Sequence, residues 1–192
     1  MKKIIALLGI LLLLVVACKP SETVTVQLTG APKPIAVPKA DEVGALLEQV
    51  KTETTAKNDL TQEIVVPINN KKGEVGDTVI FGVNFNQVNK LKGTYFARIM
   101  LIEGRDKSYN KIEVDKETMN GWLRNSQTED FVLEEKESYY VPVIFIVGSE
   151  IKSGVKTAPG TYQYEVQFYS RPDPAFEKKL DKVVKSVYLT IE

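Results

Sequence analysis

The chain has 192 residues, of which 43% are hydrophobic and 26% charged, a composition typical of a folded globular protein and not of a disordered or fibrous one. Its 25 lysines and arginines balance its 25 aspartates and glutamates, so no net positive charge attracts nucleic acid, and we expect no nucleic-acid partner. The chain has no histidine and one cysteine, which excludes histidine-based acid–base catalysis, histidine-ligated metal sites and internal disulfides.

The N-terminus has the pattern of an export signal. Two lysines follow Met1, and residues 4–17 form an uninterrupted apolar run. At about 1.5 Å per residue in a helix, this run reaches roughly 21 Å, which is less than the ~30 Å hydrocarbon core of a bilayer. The sequence therefore predicts a signal peptide over residues 1–17 and argues against a permanent transmembrane anchor.

The end of this run, Val15-Val16-Ala17-Cys18, resembles the lipobox of prokaryotic lipoproteins, in which aliphatic and small residues precede an obligatory cysteine. The resemblance implies that Cys18 is the lipid attachment site, that it carries a diacylglyceryl thioether, and that the signal is cleaved before it. It also implies a protein anchored in the cell membrane or outer membrane, facing outside the cytoplasm; two acyl chains suffice for stable anchoring. Val15 departs from the leucine that is commonest at its position. The alternative is a plain secretory signal in which Cys18 is incidental.

Residues 18–62 are predicted to be a tether. All sixteen aromatic residues lie at or beyond Phe81, and four of the nine prolines lie between residues 20 and 38, a composition typical of an extended spacer. Residues 23–28 alternate with the period of a strand. Residues 41–57 have apolar residues at helical spacing, but the apolar stripe is narrow, which favours a stalk helix with no partner over a helix packed on the domain.

Residues 63–192 read as one β domain, because short apolar stretches alternate there with turn residues. Residues 79–85, 95–101, 161–169 and 183–191 each place alternate apolar side chains on one face, as half-buried strands do. Residues 64–68 alternate in the same way, and residues 110–114 are predicted to return as a hairpin strand. Residues 139–147 give conflicting signals, since their two apolar faces favour a central strand whereas Pro142 favours an edge or a bulge.

The phrase Ala158-Pro159-Gly160-Thr161-Tyr162-Gln163-Tyr164 resembles the corner that enters the sixth strand of immunoglobulin-like and fibronectin type III-like modules, where a tyrosine hydroxyl bonds back to the chain. The resemblance implies a mainly β fold: a single Ig-like antiparallel β-sandwich, preceded by the signal peptide, the Pro-rich linker and a short helix. The cysteine–tryptophan–cysteine core of true immunoglobulin domains is absent from the sequence. We therefore expect apolar packing alone to hold the domain together.

The sequence predicts no catalytic residue, metal site or cofactor. Acidic residues cluster at 129–130 and 134–137, but this segment is expected to be a solvated turn, and paired carboxylates catalyse only across a cleft. The spaced acidic pattern of a calcium loop and the glycine-rich loops of nucleotide-binding proteins are both missing from the sequence.

Two segments hold candidate partner-binding residues. Trp122 lies with Met119 and Leu123 in a short predicted helix over residues 116–125, and we expect these three side chains to plug one end of the sandwich. If Trp122 were instead exposed beside Arg124, the pair would be a binding hot spot or a sugar-stacking platform. Arg171 and Phe176 lie in a loop stiffened by prolines, which would suit a binding tip.

These features predict a membrane-anchored, non-enzymatic lipoprotein of the envelope or cell surface, whose Ig-like domain is a binding or structural module for an unidentified protein or glycan partner. One alternative is a carbohydrate-binding or enzyme-accessory lipoprotein with Trp122 as the stacking residue. The other is an adhesin or filament subunit in which residues 24–28 insert as a strand into a neighbouring sandwich.

Overall fold

The structure is a computed structural model that describes residues 40–88, 92–171 and 182–192. The signal peptide, the lipobox with Cys18, the proline-rich stretch and the predicted strand over residues 23–28 lie outside these ranges. The helices and strands of the described residues are α1 (Ala40–Ala56), β1 (Ile64–Val65), β2 (Asn70–Gly73), β3 (Thr78–Asn86), β4 (Gly93–Arg105), β5 (Lys111–Ile112), α2 (Lys116–Asn120), β6 (Phe131–Leu133), β7 (Ser138–Ile146), β8 (Glu150–Lys152), β9 (Val155–Lys156), β10 (Gly160–Ser170) and β11 (Lys182–Ile191).

Nine of the eleven strands in the described residues form the two layers of an Ig-like sandwich, and β8 and β9 pair with each other in a separate hairpin. The smaller sheet has the order β1-β3-β7, and the larger has the order β2-β11-β10-β4, with β5 and β6 both pairing with β4. The strand pairs of these two sheets are antiparallel except for β2, which runs parallel to β11. The mainly β sandwich fold predicted from the sequence is confirmed.

The first two strands, β1 and β2, belong to different sheets. β1 pairs with β3 in the smaller sheet, and β2 pairs with β11 in the larger one. Pro67 lies between β1 and β2, and because proline has no backbone N–H it cannot continue a ladder as a donor. The alternating strand predicted over residues 64–68 therefore ends at Val65, and the side chain of Ile68 is 40% exposed.

The core lies between the two sheets and is built from alternate residues of the long strands. The smaller sheet contributes Val79, Phe81, Val83, Phe85, Val141, Val143 and Phe145, and the larger contributes Ala97, Ile99, Leu101, Tyr162, Tyr164, Val166, Phe168, Val187, Leu189 and Ile191. The sheets meet through aromatic contacts: Phe85 stacks on Phe168 at 4.8 Å, and Phe145 meets Tyr164 edge-on at 4.7 Å. The buried faces predicted for residues 79–85, 95–101, 161–169 and 183–191 are confirmed.

β7 is the edge strand of the smaller sheet, which resolves the conflict over Pro142. Arg124 N donates to Ile144 O (3.0 Å) and Ile146 N donates to Trp122 O (2.8 Å), so the even-numbered residues of β7 direct their backbone groups away from β3. Pro142 belongs to this outward set, and its missing N–H costs the β3 ladder nothing. Of the two conflicting signals, the one from Pro142 is right, and the one from the two apolar faces is wrong.

Helix α1 covers the outer face of the smaller sheet. Its buried contacts form a second apolar cluster, made of Val50, Ile80 and Ile144 with Leu46 and Leu47 packed against them. Asn84 Nδ2 donates to Thr54 O across this contact (3.1 Å). The helix predicted over residues 41–57 is confirmed, but the prediction of a stalk helix with no partner is wrong. This cover also explains why β7 is apolar on both faces.

The corner at the start of β10 has the predicted hydrogen bond. The Tyr162 hydroxyl donates to Ala158 O at 2.7 Å. Gly104 of β4 makes room for the ring, because a β-carbon at that position would lie 2.9 Å from Tyr162 Cδ1. The corner therefore ties the entry of β10 to the chain just before it.

Candidate binding groove

The solvent face of the larger sheet presents two rows of side chains across four strands. The first row follows the strand register through Asn70, Tyr188, Gln163 and Glu103. The second row lies two residues further along each strand, on the same face of the sheet, and consists of Lys72, Thr190, Thr161 and Arg105. These rows come together only because β2, β11, β10 and β4 are neighbours in the sheet.

The turn over residues 106–110 rises beside these rows. The Asp106 carboxylate accepts hydrogen bonds from the backbone N–H groups of Ser108 (2.8 Å) and Asn110 (2.8 Å) and from Asn110 Nδ2 (3.0 Å). The Asn110 side-chain bond, followed by its backbone bond, lowers the pKa of Asp106, so this carboxylate stays ionised and keeps its acceptor role. The turn is thus closed by its own hydrogen bonds.

Tyr109 stands at the tip of this turn. Its side chain is 80% exposed, and its φ of 64° lies in the left-handed region that a tyrosine rarely adopts. Arg105 Nη1 donates to Tyr109 O at 3.2 Å, and Tyr109 N donates to Asp106 O at 3.0 Å. The aromatic ring is therefore held out in solvent by a fixed backbone.

Arg105 is in turn held by Glu103. Its Nε donates to Glu103 Oε1 (2.6 Å) and its Nη2 donates to Oε2 (3.0 Å), a bidentate pair between alternate residues near the end of β4. The hydrogen bond from Arg105 lowers the pKa of Glu103 and raises that of the guanidinium, so both groups remain charged. The pair connects the solvent face of the larger sheet, which is the floor of the groove described next, to the turn that carries Tyr109.

Together these residues line a groove of about 460 Å³, formed by Asn70, Glu103, Arg105, Asp106, Lys107, Tyr109, Thr161, Gln163 and Tyr188. This volume is within the range of small-molecule sites, about 300–1,000 Å³. The lining combines two phenol rings with amide, hydroxyl and carboxylate groups. Such a lining can bind a ligand by stacking and hydrogen bonds.

The structure places Trp122 away from this groove, in the end plug that the sequence predicted, although the helix predicted over residues 116–125 ends at Asn120 and Trp122 follows it. Trp122 is 3% exposed, and Met119 and Leu123 are buried with it. The indole Nε1 donates to Glu150 O at 3.1 Å, and its ring meets Tyr162 edge-on. Arg124 is exposed, but the exposed tryptophan on which a stacking platform would depend is absent.

Arg171 is engaged at the opposite end of β4 from Arg105. Its guanidinium forms a bidentate pair with Asp130 and lies 4.1 Å above the ring of Phe96, which itself stacks on Tyr169 at 4.9 Å. Lys182 lies on the other aromatic ring, 5.9 Å from the centroid of Tyr169. Residues 171 and 182 flank the segment that contains Phe176, which lies outside the described residues. The structure does not bring Arg171 together with Trp122 or Arg124.

Sequence reasoning missed Tyr109 and the groove. One signal was available, since a tyrosine between Ser108 and Asn110 in a polar turn is an aromatic residue with no strand to bury it. The partners across the sheet could not be found in the same way, because they are separated in sequence by tens of residues.

Among residues 40–88, 92–171 and 182–192, no three acidic side chains come close enough together to hold a metal ion. No helix within the described part of the chain is long and apolar enough to cross a membrane.

No model of a known protein family matches the chain, and no curated protein matches it. Solved structures with a similar fold include the class 5 fimbriae chaperone CfaA, at 12% identity and a TM-score of 0.37, covering 66% of this chain and 54% of the chaperone. They also include the CooA pilin subunit from enterotoxigenic Escherichia coli, at 14% identity and a TM-score of 0.30, covering 68% of this chain and 97% of the pilin. The chain thus matches about half the length of the chaperone. Similarity this distant carries no information about function.

Proposed function

We propose that the protein is an acyl-anchored lipoprotein of the cell envelope whose β-sandwich is a non-enzymatic binding module, with the Tyr109 groove as its recognition surface. The observation that carries the binding part of the proposal is the fixed presentation of Tyr109, 80% exposed at a φ of 64°. Exposed tyrosine and arginine residues on rigid supports dominate binding surfaces, because they offer large contact area at little cost in conformational entropy.

The anchoring part of the proposal depends on the lipobox. The expected product is a mature chain that begins at Cys18 and is heavier by a diacylglyceryl group. Intact-mass analysis of the membrane-extracted protein, beside a Cys18→Ala variant, tests this. An uncleaved chain, or a cleaved chain without lipid, would contradict the lipid anchor.

The binding part is tested by photo-crosslinking in intact cells. A photoreactive amino acid replaces Lys107, an exposed residue at the groove, in the full-length protein. The matched control replaces Lys136, an exposed lysine in the turn beside β6, which pairs with the opposite end of β4. We expect an adduct at position 107 that disappears in Tyr109→Ala and is absent at position 136. No adduct at position 107, or the same adduct at both positions, would contradict a binding groove.

A second candidate function, assembly by strand exchange, is favoured by the edge of β11. Residues 182–191 all pair with β10, whereas β2 pairs only with residues 188–191 on the other side. Within the described residues, the first six residues of β11 therefore have an unpaired edge, which can accept an added strand. The alternating residues 24–28 of another copy would be the donor.

The strand-exchange candidate is tested by deleting residues 19–39 from the full chain, which removes the donor segment and keeps α1 on its sheet. Loss of oligomers on size-exclusion chromatography, with an unchanged circular dichroism spectrum, is the expected result. A deletion that included α1 would expose Ile80 and Ile144, so its outcome would confuse assembly with folding. Oligomers that persist after the shorter deletion would eliminate the candidate.

A further inference from the structure

We infer that the Tyr109 groove binds an uncharged oligosaccharide. This inference rests on the proposed function of the groove and adds the chemical class of its ligand. Three features of the groove carry it: the side chains of its floor, the engagement of its guanidinium group, and the exposed ring at its rim.

The floor offers side chains and no free backbone. Gln163 pairs through its strand with Tyr188 on one side and with Glu103 on the other, so the central backbone of the floor is inside a hydrogen-bonded sheet. A peptide that binds by strand addition needs unpaired backbone groups, which this surface does not present. Amide and hydroxyl side chains both donate and accept hydrogen bonds and carboxylates accept them, so together they match the hydroxyl groups of a sugar.

The guanidinium group argues for an uncharged ligand. Arg105 donates from Nε and Nη2 to Glu103 and from Nη1 to Tyr109 O, so three of its five N–H donors are engaged, and a carboxylate already occupies the side of the guanidinium formed by Nε and Nη2. Glu103 stays ionised beside it, because the hydrogen bond from Arg105 lowers its pKa. Among the charged residues of the lining, Glu103 neutralises Arg105 and Asp106 offsets Lys107, so the groove offers an anionic ligand no net positive charge.

The ring of Tyr109 supplies the stacking surface. It is 80% exposed at the rim, and the second phenol of the groove, Tyr188, is on the floor. The C–H face of a pyranose ring is apolar and its edge is polar, which matches an aromatic ring above a polar floor. The combination of one exposed face and many small polar groups favours a sugar over an apolar molecule.

The experiment uses the full-length protein in detergent on an array of neutral and acidic glycans, followed by calorimetric titration with the strongest binder and with β-1,4-linked tetramers of glucose and of N-acetylglucosamine. We expect a neutral glycan to bind with a dissociation constant of about 1 mM or lower. Tyr109→Ala should weaken binding at least about tenfold, since stacking aromatics are hot spots, whereas Tyr109→Phe keeps the ring and should bind within about threefold. Val132→Ala, at an exposed residue of β6, is the control and should bind as the native protein does.

Three results would overturn the inference: no neutral glycan bound on the array, preference for an acidic glycan, or binding that Tyr109→Ala leaves unchanged. Failure of the inference is distinguishable from failure of the proposed function. A Tyr109-dependent crosslink at position 107 to a protein, with no glycan bound, would keep the groove as a binding site and show that its ligand class is wrong. Loss of both signals would reject the binding groove itself.

Discussion

Tyr109 occupies a backbone conformation that suits other residue types better. Non-glycine residues with positive φ are uncommon, and asparagine and aspartate are several-fold enriched among them because their short polar side chains tolerate the left-handed region. A tyrosine at φ 64° therefore carries a conformational cost that the turn must offset through the bonds of Asp106 and Arg105.

This cost makes Tyr109→Asn an informative substitution. We expect it to raise the free energy of unfolding by about 0.5–1 kcal/mol, because asparagine relieves backbone strain and the lost ring is exposed. The same variant should lose the crosslink at position 107. Urea denaturation measures the stability, with Tyr109→Ala as the control, since alanine does not relieve the strain. A stability loss of more than about 0.5 kcal/mol in Tyr109→Asn would show that the ring is structural.

Tyr162 is a residue of the opposite kind, because it is buried and its polar group is paired. Replacing it with phenylalanine leaves Ala158 O without its donor and should lower the free energy of unfolding by about 1–2 kcal/mol. Tyr188→Phe, on the partly exposed solvent face, is the matched control and should change stability by less than about 0.5 kcal/mol. Chemical denaturation of both variants tests the corner, and equal effects would show that the Tyr162 bond adds nothing.

At the level of elements, the contact between α1 and β3 is close because of Gly82. A β-carbon at this position would collide with Oγ1 of Thr54 and lie 3.0 Å from Val50 Cγ1. The helix therefore sits on the sheet at a distance that only glycine allows. The bond from Asn84 to Thr54 O fixes the same turn of the helix.

Gly82→Ala should force α1 away from the sheet and lower the free energy of unfolding by about 1–3 kcal/mol, as overpacking does. Gly44→Ala is the matched control, because Gly44 lies on the exposed side of the same helix with nothing within 4 Å of a β-carbon. There alanine should stabilise the protein by about 0.5–1 kcal/mol through its higher helix propensity. Thermal or urea denaturation measures the stability of both variants. The same change in the free energy of unfolding for Gly82→Ala and Gly44→Ala would contradict a close helix–sheet contact.

The elements also show what sequence reasoning can and cannot reach. Period-two alternation identified the buried faces of β3, β4, β10 and β11 correctly, because alternation is a property of each strand alone. The same reasoning gave α1 one apolar stripe but could not say what covers it, since Gly82 and Ile80 are far away in sequence. For β7, the apolar outer face reflects contact with α1 and not a central position in the sheet, a distinction that the pattern of one strand cannot make.

The groove shows the same limit for the site. Its first row joins Asn70, Tyr188, Gln163 and Glu103, which become neighbours only through the order and register of four strands. No local pattern encodes that register. Trp122, by contrast, was placed correctly in the end plug, because its spacing to Met119 and Leu123 is a local pattern. The alternative of an exposed stacking platform came only from the general frequency of tryptophan at binding sites.

At the level of the whole molecule, the sandwich is held by apolar packing that includes buried phenol groups. Tyr162 and Tyr164 are fully buried in the core, where burial raises the pKa of both, in Tyr162 to about 12. Burial also raises the pKa of Tyr140, under α1, to about 12. Since a buried phenolate is costly, the folded state holds these groups neutral at pH values where the unfolded chain would release their protons.

Stability should therefore fall as the pH rises from 10 to 12. The pKa of an ordinary tyrosine is 10.0 and burial raises the pKa of Tyr162 to about 12, so the stabilisation is fully present below pH 10 and is lost as the pH rises through the folded pKa. Lysines also titrate in this range, so the diagnostic quantity is the difference in free energy of unfolding between the native protein and Tyr162→Phe. That difference should be constant up to about pH 9 and should narrow steadily above pH 10, because phenylalanine has no proton to lose. Urea denaturation at a series of pH values measures it. If the Tyr162→Phe difference is also constant up to pH 12, alkaline unfolding is not driven by this core phenol.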